Sequence, residues 1–272
     1  MVQKKSVDDS YDRFSADVKA GRIGCFYIFH GEERYLLERS LGDLRRRVCP
    51  EGLDGFNYKR FEGKSLNPVD LDETINTLPV FADRTLIEIH DYDVFKGKKK
   101  IDADEDDQGE TEAEKKSNAA DSGEKQQLAK IFSDLPDFVC IVIVYDTIPY
   151  KTDSRLKLDK EILSYAQVVH FCIQEQSKLT RWIARHFESS GKHISKADAE
   201  YLALITDGYM AALVGEIEKV SAFSDGEIIS RADIDAVVTP VLAAFVYKLT
   251  DALLERKHAT AMSILDDLFQ LR

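Results

Sequence analysis

The stretch that begins at Gly31 has the position of a phosphate-binding loop but not its residues. It follows an apolar run, residues 24–30, that predicts a buried strand. A loop of the form G-x-x-x-x-G-K-S/T holds nucleotide phosphates through its backbone amides and its lysine. Here Leu36 and Leu37 stand at the positions of the second glycine and the lysine. Glu32 and Glu33 would repel a phosphate. The sequence therefore predicts no ATP binding and no cofactor.

No other stretch selects a catalytic residue. Asp146 follows the apolar run 138–145, as the magnesium-binding acid of a nucleotide hydrolase would, but a turn residue is the simpler interpretation because no second acid follows. His30, His90 and His170 stand at the ends of predicted strands and could share a site, although strand ends are polar in general. The motifs G-x-S-x-G, H-E-x-x-H and G-x-G-x-x-G are absent from the sequence.

The four cysteines predict no metal or redox site. They stand at positions 25, 49, 140 and 172, and no two of them form the C-x-x-C pair of zinc ribbons and thioredoxin-type sites. Cys25, Cys140 and Cys172 lie in apolar, strand-like runs. We therefore expect small, mostly buried thiols in a reducing compartment.

A short segment between a predicted helix and a predicted strand is unusually apolar for a turn. It contains Leu78, Pro79, Val80 and Phe81, where polar turn residues are expected. Two interpretations remain open, above all for Leu78. The apolar side chains fill the core of their own domain, or they form an exposed plug for a groove on a partner protein.

The elements that must position these residues alternate between helix and strand through residues 1–172. Strand-like runs that are almost wholly apolar are typical of a parallel sheet covered on both faces. The alternation predicts a mainly parallel, three-layer α/β domain. The predicted strands are residues 24–30, 56–61, 85–89, 138–145 and 168–172.

Residues 97–126 interrupt this alternation. Between positions 101 and 125 the chain has ten acidic residues, three lysines and no aromatic residue. A stretch of this composition cannot bury enough apolar surface to offset the entropy lost on ordering. We expect a disordered acidic insertion, and the sequence assigns it no role.

The remainder of the chain shows only helical patterns. Residues 173–239 have apolar positions at helical spacing and capping-box patterns that begin at Ser195 and Ser230, which together predict a small helical bundle. Two more amphipathic helices follow Pro240. Because two such helices bury their apolar faces poorly, we expect residues 240–272 to be the start of an incomplete third domain.

Composition argues against two classes of function. Hydrophobic residues make up 44% of the 272, and 37 Lys and Arg against 49 Asp and Glu give a net charge of -12. Tight, autonomous DNA binding is not expected of so acidic a protein, although a local basic patch in an assembly is compatible with it. No apolar run approaches the roughly 20 residues of a membrane helix, and no signal peptide begins the sequence. The expected location is the cytoplasm, with no membrane partner.

The order of these features resembles a known family. An α/β domain followed by a small helical domain is the layout of AAA+ nucleotide machines. Within that layout, several stretches are similar to the delta subunit of bacterial DNA polymerase III, the clamp-loader subunit that opens the sliding clamp. These stretches are residues 27–36, 56–61, 77–84 and, in the helical part, 179–183 and 215–219.

The resemblance implies a domain plan. It implies an AAA+-like first domain, residues 1–172, that binds no ATP, then a helical lid-like domain, residues 173–239, and the start of a helical collar, residues 240–272. The resemblance further implies a subunit without catalytic activity of its own in the DNA polymerase III holoenzyme, a nucleotidyltransferase complex. The acidic insertion exceeds the usual length of the family.

The resemblance also implies partners and a binding site. The partners are the beta sliding clamp, the clamp-loader ATPase (gamma/tau) and delta-prime subunits, and primer-template DNA within the assembled complex. Many family members have Leu or Phe where Val80 stands. The implied clamp-binding residues are Leu78, Pro79, Val80 and Phe81.

Two other functions stay open from the residues alone. The first is an α/β enzyme acting on a nucleotide or a phosphorylated small molecule, which a phosphate-binding loop or a convergent catalytic set would have favoured. The second is a free-standing adaptor between proteins, which differs from a clamp-loader subunit mainly in its partner.

Overall fold

The computed structural model describes residues 9–49, 52, 54–92, 94–95, 126–152, 156–206 and 208–241, and isolated positions between 249 and 265. The chain divides into two compact units. Unit 1 contains residues Met1–Glu32 and Leu37–Phe171, and unit 2 contains Glu33–Leu36 and Cys172–Arg272.

Unit 1 is built on a five-stranded sheet in which every pair of neighbours is parallel. The order across the sheet is β2-β3-β4-β1-β5. Every residue of β3 and β4 is buried. This burial explains why β4 is apolar throughout, whereas β3 also carries three buried polar residues. The strands are β1 (Phe26–His30), β2 (Tyr58–Glu62), β3 (Thr85–His90), β4 (Val139–Val144) and β5 (Gln167–His170).

Helices cover both faces of this sheet. Side chains alternate between the two faces of a strand, and in β1 the ring of Phe26 stacks on Phe132 while Phe29 contacts Phe14 from the other side. This confirms the predicted three-layer α/β architecture. The helices of unit 1 are α1 (Ser10–Lys19), α2 (Arg34–Val48, which belongs to unit 1 from Leu37 onward), α3 (Asp54–Asn57), α4 (Pro68–Ile75), α5 (described over residues 126–133) and α6 (Lys157–Tyr165), with a 3-10 turn at Gly63–Ser65.

One strand begins later than predicted. Residues 56–61 were expected to be extended throughout, but the short helix α3 continues to Asn57, and the strand begins at Tyr58, which pairs with Leu86. The side chain of Asn57 turns inward to hold a neighbouring segment, and Phe56 is exposed. Phe56 and Asn57 therefore lie in a helical turn, and pairing with β3 begins only after them.

Unit 2 contains a small sheet and four helices whose bounds the structure describes. The helices α8 and α10 begin as predicted, because Ser195 and Ser230 each accept a hydrogen bond from the third helical amide. The expectation of helices alone was wrong: β6 (His193–Ile194) pairs in parallel with β7 (Ile228–Ile229). These two connecting segments satisfy their backbone groups through each other. The helices are α7 (Gln176–Ser189), α8 (Lys196–Ile205), α9 (Met210–Phe223) and α10 (Arg231–Val237).

Two predicted regions are not tested by the fold. The acidic insertion at 97–126 lies outside the described residues, except for position 126 in α5. The collar predicted from residue 240 onward lies mostly outside them as well. Among the described residues, no helix is both long enough and apolar enough to cross a membrane.

Candidate protein-binding site

The apolar segment, residues 76–84, connects α4 to β3 at the amino-terminal edge of the sheet. Helix α4 starts with Asn67 as its N-cap and Pro68 in its first turn, and it ends at Ile75. The hydroxyl of Thr77 then donates to the carbonyl of Glu73 at 2.8 Å. The segment therefore leaves the helix in a defined direction.

The middle of the segment is held by one buried side chain. The carboxamide of Asn57 accepts a hydrogen bond from the Val80 N–H and donates one to the Val80 carbonyl, both at 2.7 Å. Asn57 is fully buried. Sequence reasoning missed this residue, because an asparagine close to a predicted strand carries no pattern that points to a segment 23 residues away.

The far end of the segment is held by Arg84. Its guanidinium donates to the carbonyl of Ile23 at 2.6 Å. The next residue, Thr85, begins β3, and its N–H donates to the carbonyl of Phe138 at 2.7 Å. Hydrogen bonds thus fix the segment at its start, its middle and its end.

The apolar side chains between these anchors face solvent. Leu78 is 70% exposed, Val80 37% and Phe81 89%, whereas Pro79 is half-buried. The interpretation that Leu78, Val80 and Phe81 fill the core of their own domain is therefore wrong. A contiguous group of exposed apolar residues on a fixed backbone is typical of an interaction surface.

The backbone of Phe81 is itself unusual. Its φ angle is 53°, in the left-handed region that bulky residues seldom occupy. Such strain persists only where the surrounding structure determines the conformation, and it is common at binding sites.

An open groove of about 720 Å³ lies beside Phe81 in unit 1. Three guanidinium groups line it, those of Arg22, Arg47 and Arg84, together with the carboxylate of Asp83. Arg22 is paired with Asp17 at 2.5 Å. Charged and apolar residues therefore both line the groove beside the exposed ring.

A buried polar cluster supports the strand that follows the segment. The fully buried carboxylate of Glu88 in β3 accepts two hydrogen bonds from Arg45 at 2.5 and 2.7 Å and one from the Tyr58 hydroxyl at 3.0 Å. It lies 3.4 Å from the imidazole of His90. Burial alone would raise the pKa of Glu88, but the contacts with His90 and Arg45 outweigh it and hold that pKa below its ordinary value.

The loop after β1 is tightly packed against other parts of the protein's backbone and side chains. Gly31 has a φ of 139°, and a Cβ atom there would lie 2.2 Å from the carbonyl oxygen of Phe171. The glycine is needed for this close approach of two backbones. Leu36 and Leu37 are buried, as is Glu33, whose carboxylate accepts from the Met210 N–H within unit 2 at 3.3 Å. Burial raises the pKa of Glu33.

The candidate acid Asp146 lies in a bend after β4. Its N–H donates to the carboxylate of Asp91 at 2.8 Å, as do those of Thr147 and Ile148 at 2.8 and 3.2 Å. Burial would raise the pKa of Asp91, but the hydrogen bonds from Thr147 and the neighbouring amides outweigh it and lower that pKa. The structure thus assigns the bend-forming carboxylate to Asp91, a residue that the sequence pattern did not single out.

Two of the three strand-end histidines come together. The rings of His30 and His170 stack with centroids 4.7 Å apart, and Tyr150 stacks on the other side of His30 at 4.1 Å. His90 instead faces Glu88. Within the described part of the chain, no group of His, Cys, Asp and Glu has the arrangement of a metal site. None of the four cysteines, all of which the structure describes, forms a disulfide; Cys49 and Cys140 are buried, and Cys25 and Cys172 are half-buried.

Comparison with known proteins identifies the family. A family model described as DNA polymerase III, delta subunit, matches residues 27–172, which is more than half of the chain. The chain belongs to the DNA polymerase III delta subunit family. The resemblance seen in the sequence is therefore confirmed.

Two curated delta subunits are similar to this chain. DNA polymerase III subunit delta of Bacillus subtilis (strain 168) is 25% identical over 258 residues, which cover 93% of this chain and 68% of that protein. A probable DNA polymerase III subunit delta of Aquifex aeolicus (strain VF5) is 21% identical over 244 residues, covering 89% and 63%. The chain thus spans about two thirds of the length of these relatives.

Solved structures agree on the fold. The Bacillus subtilis DNA clamp loader delta protein superposes with a TM-score of 0.59 at 22% identity, covering 96% of this chain and 72% of that one. A RuvB structure from Thermotoga maritima gives a TM-score of 0.50 at 13% identity, covering 95% and 82%. The fold of this delta-family chain is therefore AAA+-like.

Proposed function

We propose that this delta-family chain is a clamp-loader subunit that binds the beta sliding clamp and opens it for loading onto primed DNA. The observation that carries the proposal is the exposed apolar surface of Leu78, Val80 and Phe81 on a segment fixed at both ends. Pro79 stiffens the same segment. These four residues are the proposed clamp-binding site.

The energetics of such a surface suit a protein partner. Phe81 is exposed at 89% and anchored by its neighbours, so its ring enters a partner's groove without first leaving its own core. A buried aromatic anchor is typically worth about 2–4 kcal/mol of binding free energy at an interface. The neighbouring Leu78 and Val80 would widen the contact and exclude water from the ring.

Clamp opening requires only a difference in affinity. A ligand shifts a conformational equilibrium by binding one state more tightly than the other, and a shift from 1:99 to 99:1 needs about a 10⁴-fold difference. The rigid α/β domain would therefore act by binding the open or strained clamp better than the closed one. No bond in the clamp has to be broken by this chain.

In this proposal the chain supplies no catalysis and binds no ATP. The loop after β1 lacks the glycine and lysine of a phosphate-binding loop, and Leu36 and Leu37 are buried in their place. ATP would enter through the partner ATPase (gamma/tau) subunits, which join this chain and delta-prime in the loader. Primer-template DNA would be engaged by the whole assembly, in the cytoplasm.

The direct test is a titration of the cognate beta clamp with the purified chain in the absence of nucleotide. We expect saturable binding and accelerated release of the clamp from circular DNA. If no complex forms at tens of micromolar of either protein, the proposal fails.

A second experiment tests the site. A photo-crosslinking phenylalanine analogue placed at Phe81 is expected to react with the clamp. The same analogue at Phe223, which is exposed in unit 2, is the matched control. Equal reaction from both positions would contradict the proposed site.

A further inference from the structure

The side chain of Asn57 makes the same pair of contacts to Val80 that a neighbouring strand would make. One carboxamide engages both the N–H and the carbonyl of a single residue, each at 2.7 Å. Asn57 is fully buried at the end of α3, and its own carbonyl accepts from the Cys49 thiol at 3.3 Å. A buried amide of this kind is costly to leave unsatisfied, so the contact is strongly maintained.

The residue next to this contact, Phe81, has a strained backbone conformation. Phe81 has a φ of 53°, a conformation disfavoured for a bulky side chain, and its ring packs against little of its own domain. The ring itself therefore does not hold the backbone in place. The described hydrogen bonds that flank it are those of Val80 to Asn57 and of Arg84 to Ile23.

We infer that Asn57 is a positioning residue for the proposed clamp-binding site: its carboxamide fixes Val80 so that Phe81 is presented in its binding conformation before the partner arrives. This inference rests on the proposed function. A preorganised segment loses less conformational entropy on binding than a mobile one, which strengthens affinity without adding a contact. Asn57 is held away from the exposed surface and acts only through the backbone of Val80.

The test compares Asn57 with Asn76, the first residue of the segment. Asn57→Ala removes both bonds to Val80. Asn76→Ala is the matched control, because the described hydrogen bonds of the Asn76 side chain go to Asp72, in the last turn of α4, and not to Val80. Asn57→Asp is the second variant, which keeps the volume and the acceptor for the Val80 N–H but loses the donor to the Val80 carbonyl. Affinities for the beta clamp are measured well below the melting temperature of each variant.

We expect Asn57→Ala to weaken clamp binding roughly tenfold, Asn57→Asp to weaken it in the same direction, and Asn76→Ala to leave it unchanged. Amide hydrogen exchange should become faster at Val80 but not at Ile141 in the centre of the sheet. In the Phe81→Ala background, Asn57→Ala should cost little further affinity, because the conformation it maintains no longer presents a ring.

The outcomes separate this inference from the proposed function. If the unmodified chain does not bind the clamp, the proposed function fails and the inference fails with it. If the unmodified chain binds, and Phe81→Ala does not, but Asn57→Ala and Asn57→Asp bind as the unmodified chain does, only the inference is overturned. An equal loss of affinity from Asn57→Ala in the presence and absence of the Phe81 ring would also overturn it.

Discussion

The two ends of the central sheet use apolar residues in opposite ways. At the carboxyl ends of the strands, where α/β proteins commonly bind ligands, the loop after β1 leads into buried Leu36 and Leu37, and the rings of His30 and His170 stack on each other. At the amino-terminal edge, the segment before β3 holds Phe81 out into solvent. The carboxyl ends of the strands are followed by buried leucines, and the amino-terminal ends carry the exposed apolar surface that we propose binds the clamp.

The difference shows that hydrophobicity alone does not separate a core residue from a binding residue. The leucines after Gly31 enter the first turns of an amphipathic helix, whose apolar face turns inward. The apolar residues before β3 belong to no helix or strand, and their backbone is held by the hydrogen bonds of Val80 with Asn57 and of Arg84 with Ile23. What decides their exposure is the backbone that carries them.

The largest expected effect comes from Gly31, at the carboxyl end of β1. Gly31→Ala should destabilise the fold by roughly 2–6 kcal/mol, because the strained φ costs about 1–3 kcal/mol and the overlap with Phe171 about as much again. Thermal melting would measure this loss. Clamp affinity of the fraction that remains folded should be unchanged. A normal melting temperature would show that the glycine is not required by packing.

The next largest effect concerns Glu88, which supports β3 behind the apolar segment but is not part of its exposed surface. Glu88→Gln should cost about 1–3 kcal/mol of stability, because the charged hydrogen bonds to Arg45 become neutral ones. The pKa of Glu88 is lowered in the folded state, so the stabilisation is present above its ordinary pKa of 4.5 and is lost as the pH falls through the lowered value. The difference in unfolding free energy between the unmodified chain and Glu88→Gln should therefore disappear in acid. A gap that widens below pH 4.5 would contradict this assignment.

A smaller effect is expected within the binding surface. Val80→Ala removes only part of a side chain that is already 37% exposed, and should weaken clamp binding by roughly 1 kcal/mol, about fivefold. Its melting temperature should hardly change. Calorimetric titration would measure the loss, and a loss as large as that expected for Phe81 would move the centre of the site to Val80.

The smallest expected effect is none. Titration of the chain with ATP should give no binding heat, since the loop after β1 has neither the lysine nor the open backbone that phosphates require. Micromolar ATP binding that disappears on mutation of residues 31–37 would show that the loop after β1 is a ligand site, which contradicts the prediction.

Periodicity predicted most of the scaffold. The strands β1, β3, β4 and β5 lie close to where their apolar runs indicated. In β3 and β4 every residue is buried, and such burial on both faces leaves a clear pattern in the sequence. The predicted start of β2 was two residues too early. Phe56 and Asn57 continue the apolar-polar alternation of a strand, but they lie in the short helix α3. The pair β6 and β7 was missed because two residues are too few to show a period.

Composition singled out the apolar segment but did not show how the segment is held. Leu78, Val80 and Phe81 were singled out because apolar residues are unusual in a turn, yet their exposure required the structure. The contacts of Asn57 with Val80, of Glu88 with Arg45 and of Asp91 with the bend at Asp146 join distant parts of the chain. Local sequence patterns carry no information about such pairs.

The measurement that tests the account most directly is a thermal melt and a clamp titration on the same Phe81→Ala protein, with Phe223→Ala as the exposed-aromatic control. The account predicts an unchanged melting temperature and a loss of affinity of about 30- to 1,000-fold, equivalent to about 2–4 kcal/mol. The control should match the unmodified chain in both measurements. A large fall in melting temperature, as a cavity costing about 3–5 kcal/mol would produce, or an unchanged affinity for the clamp, would contradict it.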